Sequence, residues 1–208
     1  MKRTSVLVLV LIMCLLVACS SASNEPYLTK CEEAYKELMN ATEYHYIVTN
    51  EFKNGDAHDV KESEAWCWKG DRVSFGITDD ITQWTAVIDA TVYLRTISAG
   101  QDQGWQKNEG ISVTRPWDTK WEDLGLTKAI STESEGMIYI DCKTATSDTE
   151  LGAAPITFCF DDDRLVALIY RDQLIDATDT QWDVTWTYRF QDTATEEISE
   201  KIRLLYRL

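Results

Sequence analysis

Residues 182–190 read Trp182-Asp183-Val184-Thr185-Trp186-Thr187-Tyr188-Arg189-Phe190, and this run decides the fold class. Apolar side chains fill every even position and polar ones every odd position. That is the period of a strand with one face buried and one wet. A helix would space its apolar residues by three and four instead. Working outward, the same alternation returns in Tyr44, Tyr46 and Val48, in Trp66 and Trp68 about Cys67, and in Val73, Phe75 and Ile77. It continues in Trp84, Ala86 and Ile88, in Val92 and Leu94, and in Ile138, Ile140 and Cys142. Ile156, Phe158 and Phe160, then Val166, Leu168 and Tyr170, complete the set. About nine strands result. Short polar turns such as Asn54-Gly55-Asp56, Lys69-Gly70-Asp71 and Asp161-Asp162-Asp163 join neighbours. The sheet is therefore expected to be an antiparallel meander, apolar on one face.

Helical spacing occurs in three places. Leu28, Cys31, Tyr35, Leu38 and Met39 recur by threes and fours behind Pro26, which suits the first helical turn. Asp118 or Thr119, with Glu122, reads as a cap for a short helix containing Trp121 and Leu124 and stopped by Gly125. Thr193-Ala194-Thr195-Glu196 reads as a second capping box, ahead of the stripe Ile198, Ile202, Leu205 and Leu208. Residues 97–115, with Gly100, Gly104 and Gly110, read as a loop. The class is α+β, and the chain from Pro26 to Leu208 is drawn as one domain.

The N-terminus is of another kind. Met1-Lys2-Arg3 precedes an unbroken apolar run, Val6 to Ala18. That run is too short for the ~20 residues that span a bilayer, so it reads as the core of a signal peptide covering residues 1–18. It ends Leu16-Val17-Ala18-Cys19-Ser20, which resembles a bacterial lipobox. The expectation is a diacylglycerol on Cys19, a polar tether over residues 19–25, and a folded body held at the extracytoplasmic face of a bacterial membrane. Two acyl chains hold such an anchor stably.

Charge narrows the partners. The chain carries 35 Asp+Glu against 20 Lys+Arg, a net charge of −15. A nucleic-acid partner is excluded, because phosphate neutralisation needs basic clusters and none is present. With 8 Trp, 9 Tyr and 5 Phe, the chain has ample apolar surface for a core and is not disordered.

Signals for catalysis are few. There is no G-x-S-x-G, no phosphate-binding G-x-x-x-x-G-K-[ST], no H-E-x-x-H and no C-x-x-C. His45 and His58 are the two histidines, and neither has a metal-ligand spacing, so no metal or cofactor is expected. The Asp161–Asp163 run lacks the spacing of a calcium loop. The reading is a non-catalytic binding protein; a small hydrolase acting on cell-wall or glycan substrates is the competing one.

Apart from Cys19, the expected mature chain holds Cys31, Cys67, Cys142 and Cys159. Outside the cytoplasm an even set points to disulfides, with three connectivities open. Cys31–Cys67 with Cys142–Cys159 is the preferred pairing, the second closing the hairpin about Ser147. Parity opposes that second bridge, because Cys142 shares the phase of Ile138 and Ile140 whereas Cys159 lies between Phe158 and Phe160. The aromatic rows admit three readings: plain core, the wall of a cavity for an apolar ligand, or stacking platforms for sugars.

The order of elements, with Trp66-Cys67-Trp68-Lys69-Gly70-Asp71-Arg72 as a strand–turn–strand unit, resembles the lipoprotein-carrier superfamily of the LolA/LolB and LppX type. The family's Arg/Pro signature between strands is absent, and a C-terminal helix and four cysteines are added. The resemblance implies a curved half-barrel whose concave apolar face, capped by helices, holds acyl chains. It places Tyr44, Tyr46, Trp66, Trp68, Trp84, Trp182 and Trp186 on one concave wall, with the Trp121 helix as lid. The implied partners are membrane lipid, through the anchor, and a hydrophobic small molecule.

Overall fold

A computed structural model describes residues 25–78, 81–109, 115, 117–144 and 156–206. The leader, Cys19 and the tether up to residue 24 lie outside the described residues, as does the hairpin tip about Ser147. Helix α1 (Glu25–Asn40) leads into β1 (Glu43–Asn54), β2 (Ala57–Trp68), β3 (Asp71–Thr78), β4 (Ile81–Ile88), β5 (Thr91–Ser98) and β6 (Gln101–Asn108). A 3-10 turn (Trp121–Leu124) precedes β7 (Leu126–Ser134), β8 (Met137–Thr144), β9 (Ile156–Asp161), β10 (Arg164–Ile175) and β11 (Gln181–Phe190). Helix α2 (Thr195–Tyr206) follows. All the strands form one curved, unclosed sheet in the order β6-β5-β4-β3-β2-β1-β11-β10-β9-β8-β7. Every neighbouring pair is antiparallel. The α+β half-barrel with flanking helices is thus the observed architecture.

The described sheet has eleven strands rather than the nine read from alternation. The two additions, β6 and β7, are the edges. An edge strand is wetted along one side and needs no full apolar row. β6 reads QDQGWQKN, with Trp105 its one large apolar residue, and it occupies part of the expected 97–115 loop. The turns hold as expected: Lys69 and Gly70 take φ of 53° and 91° between paired Trp68 and Asp71, the geometry of a two-residue hairpin.

Register divides the side chains between two faces. Tyr44, Tyr46 and Val48 of β1 align with Cys67, Ala65 and Ser63 of β2. Tyr46, Val48 and Asn50 align with Phe190, Tyr188 and Trp186 of β11 on the other side. This inner face continues through Leu168 and Tyr170 to Phe158, Ile140 and Cys142. Helix α1 and the 3-10 turn cover it, forming one core cluster. Trp66 and Trp68 have the opposite phase, and with Val73, Phe75, Ala86 and Trp84 they make an outer-face core under Ile198 and Ile202 of α2.

The single concave wall is therefore corrected. Tyr44, Tyr46, Trp182 and Trp186 lie on the inner face; Trp66, Trp68 and Trp84 lie on the outer one. The cause is that β2 pairs with β1 in a register that sets Trp66 opposite His45 rather than opposite a tyrosine. On the outer face the rings stack in a row: His45 on Trp66 at 5.2 Å, Trp66 on Phe75 at 5.8 Å and Phe75 on Trp84 at 4.7 Å. Lys201 of α2 sits 4.9 Å from the Trp66 ring and Arg203 5.5 Å from that of Trp68, so the helix covers the row through cation–π contacts as well as apolar ones.

Candidate functional site

Between β6 and β7, the two edges of the sheet, Trp117 and the 3-10 turn pack against the inner face, with Arg115 at the end of α1. Trp117 is fully buried, with ring centroids of Tyr44, Tyr46, Tyr188 and Phe190 5.4–5.8 Å away, all in tilted or edge-on geometry. Its indole N–H has no hydrogen-bond acceptor among the described residues. Arg115 donates to the carbonyls of Met39 (3.1 Å) and Ala41 (3.3 Å) at the end of α1, and to Asp118 Oδ1 at 2.6 Å. These are the orphan acceptors that every helix C-terminus leaves. Asp118 is engaged by Arg115, so it does not cap the segment at Trp121, which is one 3-10 turn with no side-chain cap in place of the expected lid helix. Tyr35 donates to the Thr119 carbonyl at 3.0 Å. Trp121 packs on Tyr35 (5.7 Å) and Phe158 (6.1 Å). This end of the inner face is filled.

The far end of the same face is open. β1, β2, β10 and β11 are the longest strands, each having 10 or 12 residues, and they run on past the cover of α1. There Phe52, Asp59, Lys61, Leu174, Ile175, Asp176 and Trp182 line a groove of about 310 Å³. Leu174 and Ile175 are 41% and 70% exposed, unusual for large aliphatic side chains grouped around a hollow. Trp182 is positioned rather than loose. Its indole N–H donates to Asp176 Oδ2 at 3.0 Å, while Asp176 Oδ1 accepts from the Thr178 hydroxyl (2.6 Å) and from the amides of Thr178 (2.8 Å) and Thr180 (3.1 Å). These bonds, the Thr178 hydroxyl foremost, hold the Asp176 carboxyl well below the usual carboxylate range. The site thus presents fixed aromatic and aliphatic surface with carboxylates and one lysine at its rim.

Two other hollows differ in chemistry. One of about 340 Å³ lies between the end of α1 and β1–β4, lined by Tyr44, Cys67, Arg72, Val87, Arg115 and Asp118 among others. Arg72 is buried there, and Arg115 is paired with Asp118 at 2.6 Å. It is separate from the groove, since Tyr46 and Val48, which lie between them along β1, are buried. The other, about 750 Å³, is a surface trough along α1 with Glu25, Glu33, Glu37 and Asp163 on its walls, too acidic for an apolar guest.

Each histidine is paired with a carboxylate. Among the described residues no group of three or more His, Cys, Asp or Glu is placed to hold an ion. His58 pairs with Glu51 at 2.8 Å. His45 lies between Thr193 Oγ1 and Glu64 Oε1, both at 2.7 Å. The hydroxyl–imidazole–carboxylate order copies a nucleophile and its base, yet none of the three hollows opens on Thr193. The contact joins the chain before α2 to β1 and β2. It also takes the Thr193 hydroxyl away from the expected capping box, and the Thr195 hydroxyl donates to Glu43 instead.

The four cysteines are buried free thiols, and the preferred pairing is corrected. Cys142 aligns with Ile156 on the inner face, whereas Cys159 aligns with Tyr139 and Ala167 on the outer one. The Cys67 thiol donates to the Thr42 carbonyl at 3.6 Å, just past the end of α1. Nine helical residues, about 13 Å, separate Cys31 from Asn40 at that end, and a disulfide tolerates Cα separations of only about 7 Å.

No protein-family model matches the chain, and no curated protein sequence matches it. Among solved structures it is similar to a DUF1329 family protein from Desulfovibrio piger, at 7% identity over 81% of this chain and 91% of that one, with a TM-score of 0.30. The likeness is too distant to transfer a residue or a role. Among the described residues no helix is long and apolar enough to cross a membrane.

Proposed function

We propose that this chain is a lipid-anchored, extracytoplasmic binding protein whose groove at the open end of the inner face takes an acyl chain or similar hydrophobic ligand without chemical turnover. The observation that carries it is the hollow lined by half-buried Phe52 and Trp182 and exposed Leu174 and Ile175, at the end of the inner face that none of the described helices covers. A hydrophobic guest there removes apolar surface from water on both partners. Lys30 donates to the Asp162 carbonyl and to Asp163 at the start of β10. The groove lies at the other end of that strand, about 33 Å away at ~3.3 Å per residue. A lipid on Cys19, joined through the short tether to α1, therefore sets the groove's mouth away from the anchoring bilayer.

Binding is read by quenching of tryptophan emission on addition of a brominated fatty acid to the chain from Glu25 onward. Saturable quenching is expected, with Trp182→Ala weakening affinity about tenfold or more, the value of one lost aromatic contact. Equal affinity in both proteins overturns the reading. The rim of Asp59, Lys61 and Asp176 beside Trp182 favours a second one, an envelope glycan stacked on the indole, and saturation by oligosaccharide but not by fatty acid selects it. Anchoring is tested separately. Cys19→Ala is expected to release the protein from membranes or leave it unprocessed, and a processed variant that still partitions with membranes refutes the anchor.

A further inference from the structure

Cys31 and Cys142 are both fully buried in the inner-face core. Cys31 shares the sheet-facing side of α1 with Tyr35 and Leu38, at spacings of four and seven. Cys142 shares the inner row of β8 with Ile138 and Ile140. The helix packs on β7 and β8, and the Cys31 thiol is near enough to that of Cys142 for the two to interact. The other two have no such neighbour: Cys67 lies on the inner face beside Thr42 and Tyr44, and Cys159 lies on the outer face.

We infer that Cys31 and Cys142 are the pair that closes into a disulfide when this chain folds in an oxidising compartment, leaving Cys67 and Cys159 as thiols. The link rests on the extracytoplasmic reading for its occurrence in the cell, and on the α1–β8 contact for its choice of partners. The oxidant is a protein dithiol–disulfide exchanger in its disulfide form. One thiolate of the pair attacks it to give a mixed disulfide, and the second displaces the exchanger. One S–S bond forms in this chain, one breaks in the exchanger, and the two thiol protons end on the exchanger's reduced sulfurs. Contact with Cys142 and burial push the Cys31 thiol far above its ordinary range, so exchange belongs to the folding chain, before the core closes. The bond would fasten α1, the helix nearest the anchor, to the interior of the sheet, and it would enclose more than a hundred residues, the long-loop case in which cross-linking constrains the unfolded chain most.

The test is non-reducing peptide mapping of the full-length chain, isolated from membranes with thiols trapped by an alkylating agent. Peptides holding Cys31 and Cys142 are expected to be joined and lighter by two hydrogens, with Cys67 and Cys159 alkylated. Reduction is expected to lower Tm by about 10 °C. Cys67→Ser with Cys159→Ser is expected to keep both the link and the Tm. Cys31 joined to Cys67 or Cys159 overturns the inference. So does a Cys31 that stays alkylatable after the purified, reduced full chain is refolded in oxidised glutathione. A link formed in glutathione but absent from cells upholds the pairing and overturns the extracytoplasmic reading.

Discussion

The two ends of the inner face are built from the same strands and have opposite fates. β11 runs through both: Tyr188 and Phe190 lie against buried Trp117, whereas Trp182, at the start of the same strand, borders an open groove. β10 behaves likewise, with Leu168 fully buried and Leu174 41% exposed. Along β11 the alternation is equal at the two ends, but the inner row of the neighbouring strands takes Asn50, Lys61 and Asp172 toward the open one. The cover differs as well, since α1, Trp117 and the 3-10 turn pack on the filled end. Core and groove thus share strands and are divided by where the second layer and the unbroken apolar row end.

The largest expected effect breaks the filled end. Trp117→Ala removes a fully buried side chain and leaves a cavity amid four aromatic rings, a loss of about 3–5 kcal/mol and a fall in Tm of roughly 10 °C. The same truncation at Trp182 is expected to cost under about 1 kcal/mol. Urea unfolding of the two variants measures both, and equal losses would abolish the distinction between core and groove. The smallest effect sharpens the open end. Asp176→Ala is expected to free the Trp182 indole, read as a shift in its emission and weaker fatty-acid quenching. Acid tests the same contact. Because the folded-state pKa of Asp176 is depressed, its contribution is complete above the unfolded carboxylate value of about 3.9 and is lost only as pH falls through the lower folded value. Trp182 emission is therefore expected to hold steady down to about pH 4, and a transition near pH 5 would show that Asp176 is not bonded as described.

Local pattern made much of this legible. Val184, Tyr188 and Leu168 could be assigned to one face from period two alone, and parity correctly set Cys142 and Cys159 against each other. The capping boxes at Thr119 and Thr193 were misleading, because Asp118 is engaged by Arg115, three residues earlier, and Thr193 by His45, far away in sequence on β1. Trp117 and Arg115, the residues that seal the filled end, carried no periodic signal, since residues outside any strand or helix follow neither spacing.

By itself, the sequence determined the fold class, the face parity of each interior strand, the two long helices and the acidic surface, because alternation, helical spacing and charge are properties of neighbouring residues. Only the tertiary structure decided that β1 pairs with β11, that the tryptophans divide between two faces, that Cys31 meets Cys142, and that one end of the inner face is left bare. Each of these depends on which strand lies beside which and in what register, and that follows from packing energies summed over the whole sheet rather than from any one stretch of chain.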